Sequence, residues 1–383
     1  MTHRDTREAE RLTPAPPVPE PPRGPRSLLR LATIDVGPLR RHRDFRLLFV
    51  GQGVSFFGSM LTYVAIPYQA YQLSGSSLVV GLISLAELGP LLVTAFLGGA
   101  LADAFDRRRL VQIAEASLGV CAALLAVNAL LPSPHLWALF VVGGLMAGLD
   151  GLQRPPLDAL IPRLVERHEL TAASALDSFR GNIGMLAGPA IAGVLIATIG
   201  LPLTYVVDVA TFGVSLGALA LMRAVPPPPE AEPPSLRRIA EGLRYAWSRP
   251  ELMGTYGVDV IAMFFGMPMA LFPAFAEQLG GASALGLLYA APSLGSLLAT
   301  ATSGWTNHVH RHGLAVIWAA GVWGAAIVAF GFPPNLPLAL AALAAAGACS
   351  KQHNCRHAER KELTGHGHRF RIPQCTSVGW FAR

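Results

Sequence analysis

Residues 98–110, GGALADAFDRRRL, join two long apolar runs through a turn that carries three arginines. Between Leu78 and Ala102 the only ionisable residue ahead of that turn is Glu87, and beyond it Leu110 to Leu131 is interrupted by Glu115 and Asn128. Runs of this length satisfy their backbone in lipid as helices, and so short a connection makes the pair an antiparallel hairpin. The arginines set its side, because Lys and Arg in short loops stay cytoplasmic.

The pattern repeats along the chain. Spans are expected at 47–73, 78–102, 110–131, 136–153, 181–200, 203–222, 252–276, 283–304 and 313–332, with a shorter run at 337–349. A chain of 383 residues that is 52% hydrophobic and 14% charged could not hide so many runs in a water-soluble core. Its net charge of +6 does not call for a nucleic acid, since the arginines fall on one side only. The loops 103–109, 154–180, 223–251 and 305–312 hold them, whereas those near 74–77, 132–135, 201–202, 277–282 and 333–336 hold no Arg or Lys. This places the N-terminus in the cytoplasm, with the lipid bilayer as the chain's surroundings.

Composition divides the chain into five segments. Residues 1–44 are Pro- and Arg-rich, lack the apolar run of a signal peptide, and read as a disordered cytoplasmic tail. Residues 45–222 hold six spans, with 154–180 expected to lie along the cytoplasmic face. Residues 223–251 form a linker that opens on PPPPEAEPP and continues with Leu236, Ile239, Leu243 and Trp247 on one helical stripe. Residues 252–349 are a partial second transmembrane half. The polar tail 350–383 holds both lysines, Lys351 and Lys361, and its abrupt change of composition looks like a shifted reading frame or joined sequence. The 13-residue run before it reaches about 20 Å as a helix, short of a hydrocarbon core of about 30 Å. Cys349, His353, Cys355, His357 and Cys375 fit no standard zinc spacing, so no metal is expected.

In the arginine turn, G-x-L-A-D before a basic cluster resembles the loop motif of major facilitator superfamily transporters. Gly99, Leu101, Ala102, Asp103, Arg107 and Arg108 occupy motif positions, while Ala104 and Asp106 replace the usual arginine and glycine. The resemblance implies a conformational latch at Gly99, Asp103, Arg107 and Arg108. On chemistry alone, the glycines allow close helix approach and Asp103 can cap a helix. A second stretch, Gly184, Gly188, Pro189, Ala192 and Gly193, is similar to the G-x-x-x-G-P-x-x-G-G motif of proton-driven exporters in that superfamily, with Ala192 as the departure. Over roughly residues 40–348 the chain resembles the enterobactin-exporter-like branch, the transmembrane secretion effectors. The fold implied is all-α, polytopic, with the first six spans complete and the second half incomplete.

Ionisable groups at membrane depth persist when they are paired or used. Glu87 lies about 13 Å into its span, near the bilayer middle. It joins Asp208 and Asp259 as a proton-coupling candidate. Gln52, Ser55, Tyr63 and Gln69 in the first span are polar enough to line a substrate cavity. Asp150 and Arg154 are expected to form an ordinary i, i+4 pair, and Glu115 and the Asp177–Arg180 pair have surface explanations. No phosphate loop, nucleophile triad or catalytic carboxylate pair appears, so neither an enzyme nor a cofactor is expected. The sequence points to an exporter of a small organic molecule, a siderophore or a drug, that exchanges it for protons by alternating access. The alternatives are an inactive truncated transporter and a membrane scaffold or sensor without transport.

Overall fold

The computed structural model describes residues 35–225, 244, 247–249, 266–302, 312–332 and 335–363, and its regular elements there are helical. The short α1 (Gly37–Arg41) leads into α2 (Arg43–Ser74), followed by α3 (Ser77–Ala104), α4 (Arg107–Leu130), α5 (Leu136–Leu164) and α6 (Leu170–Ala220). A second set comprises α7 (Phe272–Leu279), α8 (Gly281–Ala301), α9 (His312–Phe330) and α10 (Leu336–Leu363). Six helices among the described residues are long and apolar enough to cross a membrane. Leu78, Leu85, Ile113, Val120 and Trp137 point outward exposed, an arrangement that suits lipid and would leave a large apolar surface in water.

The 51 residues of α6 are two crossings in one element. Gly200 breaks the helix at φ 80°, ψ 171°, a conformation that glycine adopts without strain. Contacts with α2 show the reversal. Going up α2, Gly53, Phe56 and Met60 meet Arg180, Gly184 and Gly188 in rising order, while Gly51, Thr62 and Gln69 meet Ser215, Asp208 and Tyr205 in falling order. One arm therefore runs parallel to α2 and the other antiparallel.

Several boundaries differ from expectation. The expected loop 154–180 is mostly helix: α5 continues through Arg154, Pro155 and Pro156 to Leu164, a 3-10 turn covers Arg167–Glu169, and α6 starts at Leu170. The described end of the expected span 252–276 is interrupted at Met267 and Pro268, before the 3-10 turn Met269–Leu271 and α7. The run at 337–349 is the apolar half of a 28-residue helix, so backbone length does not stop it crossing; only its apolar stretch, Leu336–Cys349, is short. Asp103 lies in the last turn of α3, three residues before the N-cap position of α4. The cap of α4 is Asp106, whose carboxylate accepts from the backbone N–H groups of Arg108 at 2.9 Å and Arg109 at 3.3 Å. Residues 1–34, most of the stripe 236–247, and 364–383 lie outside the described residues.

Prolines make the α3–α5 contact unusual. Pro155 and Pro156 have no N–H, which leaves the carbonyls of Gly151 and Leu152 without their helical donors. Gly98 of α3 sits against both: an added Cβ would come within 2.6 Å of the Leu152 oxygen and 3.1 Å of the Gly151 oxygen. Only glycine lets α3 approach so closely, with room for weak Cα–H contacts to those oxygens. Its neighbour Gly99 has nothing within 4 Å of such a Cβ. Gly98→Ala should therefore destabilise the protein by about 1–3 kcal/mol, read as a lower melting temperature in detergent. Gly99→Ala should stay within about 0.5 kcal/mol of wild type.

Candidate functional site

The polar groups of the first set gather at three levels along α2. At the first, Glu115 of α4 is 1% exposed, with side chains from three other helices around it. Gln52 Nε2 donates to Glu115 Oε1 at 2.8 Å and to Ser215 Oγ of α6 at 3.0 Å. Ser55 Oγ donates to the two carboxylate oxygens at 3.2 and 3.0 Å, and Gln153 Nε2 of α5 donates to Oε1 at 2.7 Å. Glu115 is thus a core residue rather than a surface one. It occupies the buried stripe of α4 with Val111, Leu118, Ala122 and Leu125, at helical spacing that could have revealed it in the sequence.

At the next level, Asp208 is fully buried and accepts from Thr62 Oγ1 and, at 3.3 Å, from Thr211 Oγ1. At the third, Tyr205 Oη donates to Gln69 Oε1 at 2.9 Å. Gln52, Ser55 and Gln69 therefore turn into the first helix set, where each is buried and hydrogen-bonded. Asp259 lies outside the described residues.

Glu87 differs from these. Its carboxylate is half-buried, and among the described residues no hydrogen bond reaches it. Room for it is made by Gly143 of α5, where an added Cβ would lie 3.0 Å from Glu87 Oε1. Tyr63 of α2 and Tyr289 of α8 lie within electrostatic reach of this carboxylate, as does Asp150 of α5. Tyr63 meets Tyr289 edge-on at 5.4 Å and donates to Met269 Sδ at 3.3 Å. Phe272 continues the aromatic stack, 5.1 Å from Tyr289 and 5.5 Å from Phe330. Among Glu87, Asp208 and the four cavity candidates, the structure brings Tyr63 to the boundary between the sets, with Glu87 in electrostatic reach of it.

The same boundary holds the glycine motif. Gly184 and Gly188 admit Phe56 and Met60 of α2, and Gly193 lies against Gly286 of α8 with backbone touching backbone: a Cβ on Gly286 would fall 2.4 Å from Pro189 O and 2.9 Å from Gly193 Cα. These contacts, with Tyr63–Tyr289 and Gly81–Ala270, join the two sets toward the end of the bundle away from Arg107.

At the arginine-bearing end, Arg107 Nη1 donates to Ala159 O at 3.1 Å and Arg108 Nη2 to Ala220 O at 3.0 Å, tying α4 to α5 and α6. Gly99 contributes no close packing there, and Asp103 stands in the last turn of α3. Glu169 is gripped by Arg41 Nη1 at 2.8 Å and His42 Nε2 at 2.5 Å. Arg180 binds Asp177 at 2.7 Å. Asp150 and Arg154 form no direct ion pair among the described residues; Arg154 sits in the shared field of Asp150, Asp158, Asp177 and Arg180. Nor do the described residues contain a cluster of three or more His, Cys, Asp or Glu able to hold a metal.

Comparisons with known proteins agree with this architecture. Residues 33–352 match the family described as transmembrane secretion effector. The enterobactin exporter EntS of Shigella boydii serotype 4 (strain Sb227) is 30% identical over 315 residues, 82% of this chain and 76% of that protein, and EntS of Escherichia coli O157:H7 (strain EC4115 / EHEC) aligns to the same extent. Among solved structures, a bacterial homologue of the iron transporter ferroportin in an inward-facing state aligns with a TM-score of 0.60 at 16% identity, covering 85% of each chain. A bacterial homologue of the lysosomal transporter Spinster, inward-facing and unoccupied, aligns with a TM-score of 0.58 at 17% identity, covering 84% of this chain and 75% of that one. The fold, the glycine-packed boundary and the family match lead to one conclusion: this chain belongs to the transmembrane secretion effector family of major facilitator superfamily transporters.

Proposed function

We propose that the protein exports a small organic molecule across a bacterial inner membrane by alternating access, in exchange for protons. A siderophore of the enterobactin type is the first substrate to test, given the similarity to enterobactin exporters. In this reading the arginine-bearing end is cytoplasmic, as one-sided Arg loops favour. The contacts of Gly193 with Gly286 and of Tyr63 with Tyr289 then close the outer end, leaving the protein open inward.

The observation that carries the coupling is the contrast between Glu87 and the two buried, hydrogen-bonded carboxylates Glu115 and Asp208. Those two accept hydrogen bonds from neighbouring side chains, whereas Glu87 has none among the described residues and lies within electrostatic reach of Tyr63 and Tyr289, one from each set. A carboxylate in that position can exchange a proton with whichever side the cavity faces. When the aromatic contact opens, its surroundings change, which links proton binding to the conformational step.

Glu87→Gln tests this in inverted membrane vesicles with enterobactin as the probe. Proton-driven accumulation should fall at least about tenfold, with the protein still inserted. Unchanged accumulation would remove Glu87 and shift the role to Asp208 or Asp259; a scaffold or sensor would show no proton-driven movement in the wild type either. A second variant probes the seal. Gly286→Leu should hold the outer end apart and lower transport by a similar factor, with spin labels across that end reporting a longer distance than in the wild type.

A further inference from the structure

We propose that Glu115 is a second, internal proton-binding site of this transporter, an inference that deepens the proton-coupled reading above. Its partners carry the argument. A buried carboxylate fixed for structure is ordinarily held by a cation, as Glu169 is held by Arg41 and His42. Glu115 has instead two carboxamides and a hydroxyl, and every one of them can reverse its role. Around the ionised form, Gln52, Gln153 and Ser55 all donate. Around the protonated form, the Ser55 oxygen can accept from the new O–H, and either amide can rotate to present its oxygen. A guanidinium in the same place could not make that change, because it has no acceptor. The site is therefore built to be satisfied with the proton and without it.

A second observation links the site to the arginine-bearing end. Gln52, which bridges Glu115 and Ser215, also lines a narrow crevice with Phe45, Leu48, Phe49, Asp177 and Arg180, whose cavity volume of about 10 Å³ has room for a single water. Asp177 and Arg180, themselves paired, stand in that crevice near the arginine-bearing end. The charged groups within electrostatic reach of Glu115 from the helices packed on α4 are Asp150 on α5, itself beside Arg154 one turn further, and Asp208 on α6; α2 presents Gln52 and Ser55. Because α2, α4, α5 and α6 all meet at this carboxylate, the proton's arrival rearranges hydrogen bonds that tie four helices together.

The test is difference infrared spectroscopy on the full-length protein in liposomes, between alkaline and acidic buffer. The wild type should show the carbonyl stretch of a protonated carboxylic acid that appears on acidification, is missing in Glu115→Gln and persists in Glu87→Gln. Gln153→Leu leaves Glu115 in place and removes one donor, and should move the midpoint of that band by about one pH unit. This variant also decides the matter if Glu115→Gln does not fold. A spectrum unchanged in Glu115→Gln, or a midpoint unmoved in Gln153→Leu, overturns the proposal. Neither measurement involves a substrate or a gradient, so failure of proton-driven export would remove the coupled reading while leaving the titration of Glu115 to be judged by itself.

Discussion

Lipid offers no hydrogen bonds, and that constraint orders this protein from backbone to site. The polar side chains inside the helix bundle find one another: Gln52 and Ser55 with Glu115, Thr62 with Asp208, Gln69 with Tyr205. Freed backbone carbonyls follow the same rule. Those left open by Pro155 and Pro156 are met by the bare Cα of Gly98, which helps α5 continue past this proline pair. Against this background Glu87, partly buried and without a hydrogen bond among the described residues, suits the proton exchange proposed for it.

Packing rather than hydrophobic burial joins the helices, since lipid is as apolar as the side chains it touches. Small residues therefore mark the contacts. Glycines of the first arm of α6 admit Phe56 and Met60 on one side and the backbone of α8 on the other, so this arm lies between α2 and the second helix set. A contact of backbone on backbone has two workable states, closed or parted, and little in between. This suits a boundary that opens and closes in each transport cycle.

Much of this was legible in the sequence for physical reasons. Apolar runs mark the helices, and the small residues Gly184, Gly188 and Ala192 mark a ridge for close helix contact. The misses also have causes. Arg154-Pro155-Pro156 looked like the end of a span, because a sequence does not show that another helix will cover the freed carbonyls. The chemistry of Asp103 suits a helix cap, yet α3 runs to Ala104 and the cap position of α4 falls to Asp106. Glu115 was treated as superficial because it lies near a helix start. Its place on the stripe of Val111, Leu118 and Ala122 was the stronger signal, and the glutamines that hold it come from helices distant in sequence.

The central claim is that the two ends of the bundle open in alternation, with proton binding as the switch. Double electron–electron resonance on the full chain in liposomes tests it most directly, with one label pair at Gln72 and Gln278 and another at Arg163 and Thr302, all on exposed positions of described helices or their ends. The account predicts that changing pH lengthens one distance distribution while it shortens the other, and that Glu87→Gln locks both. Distances that stay fixed at both ends, or that change in the same sense, would contradict it.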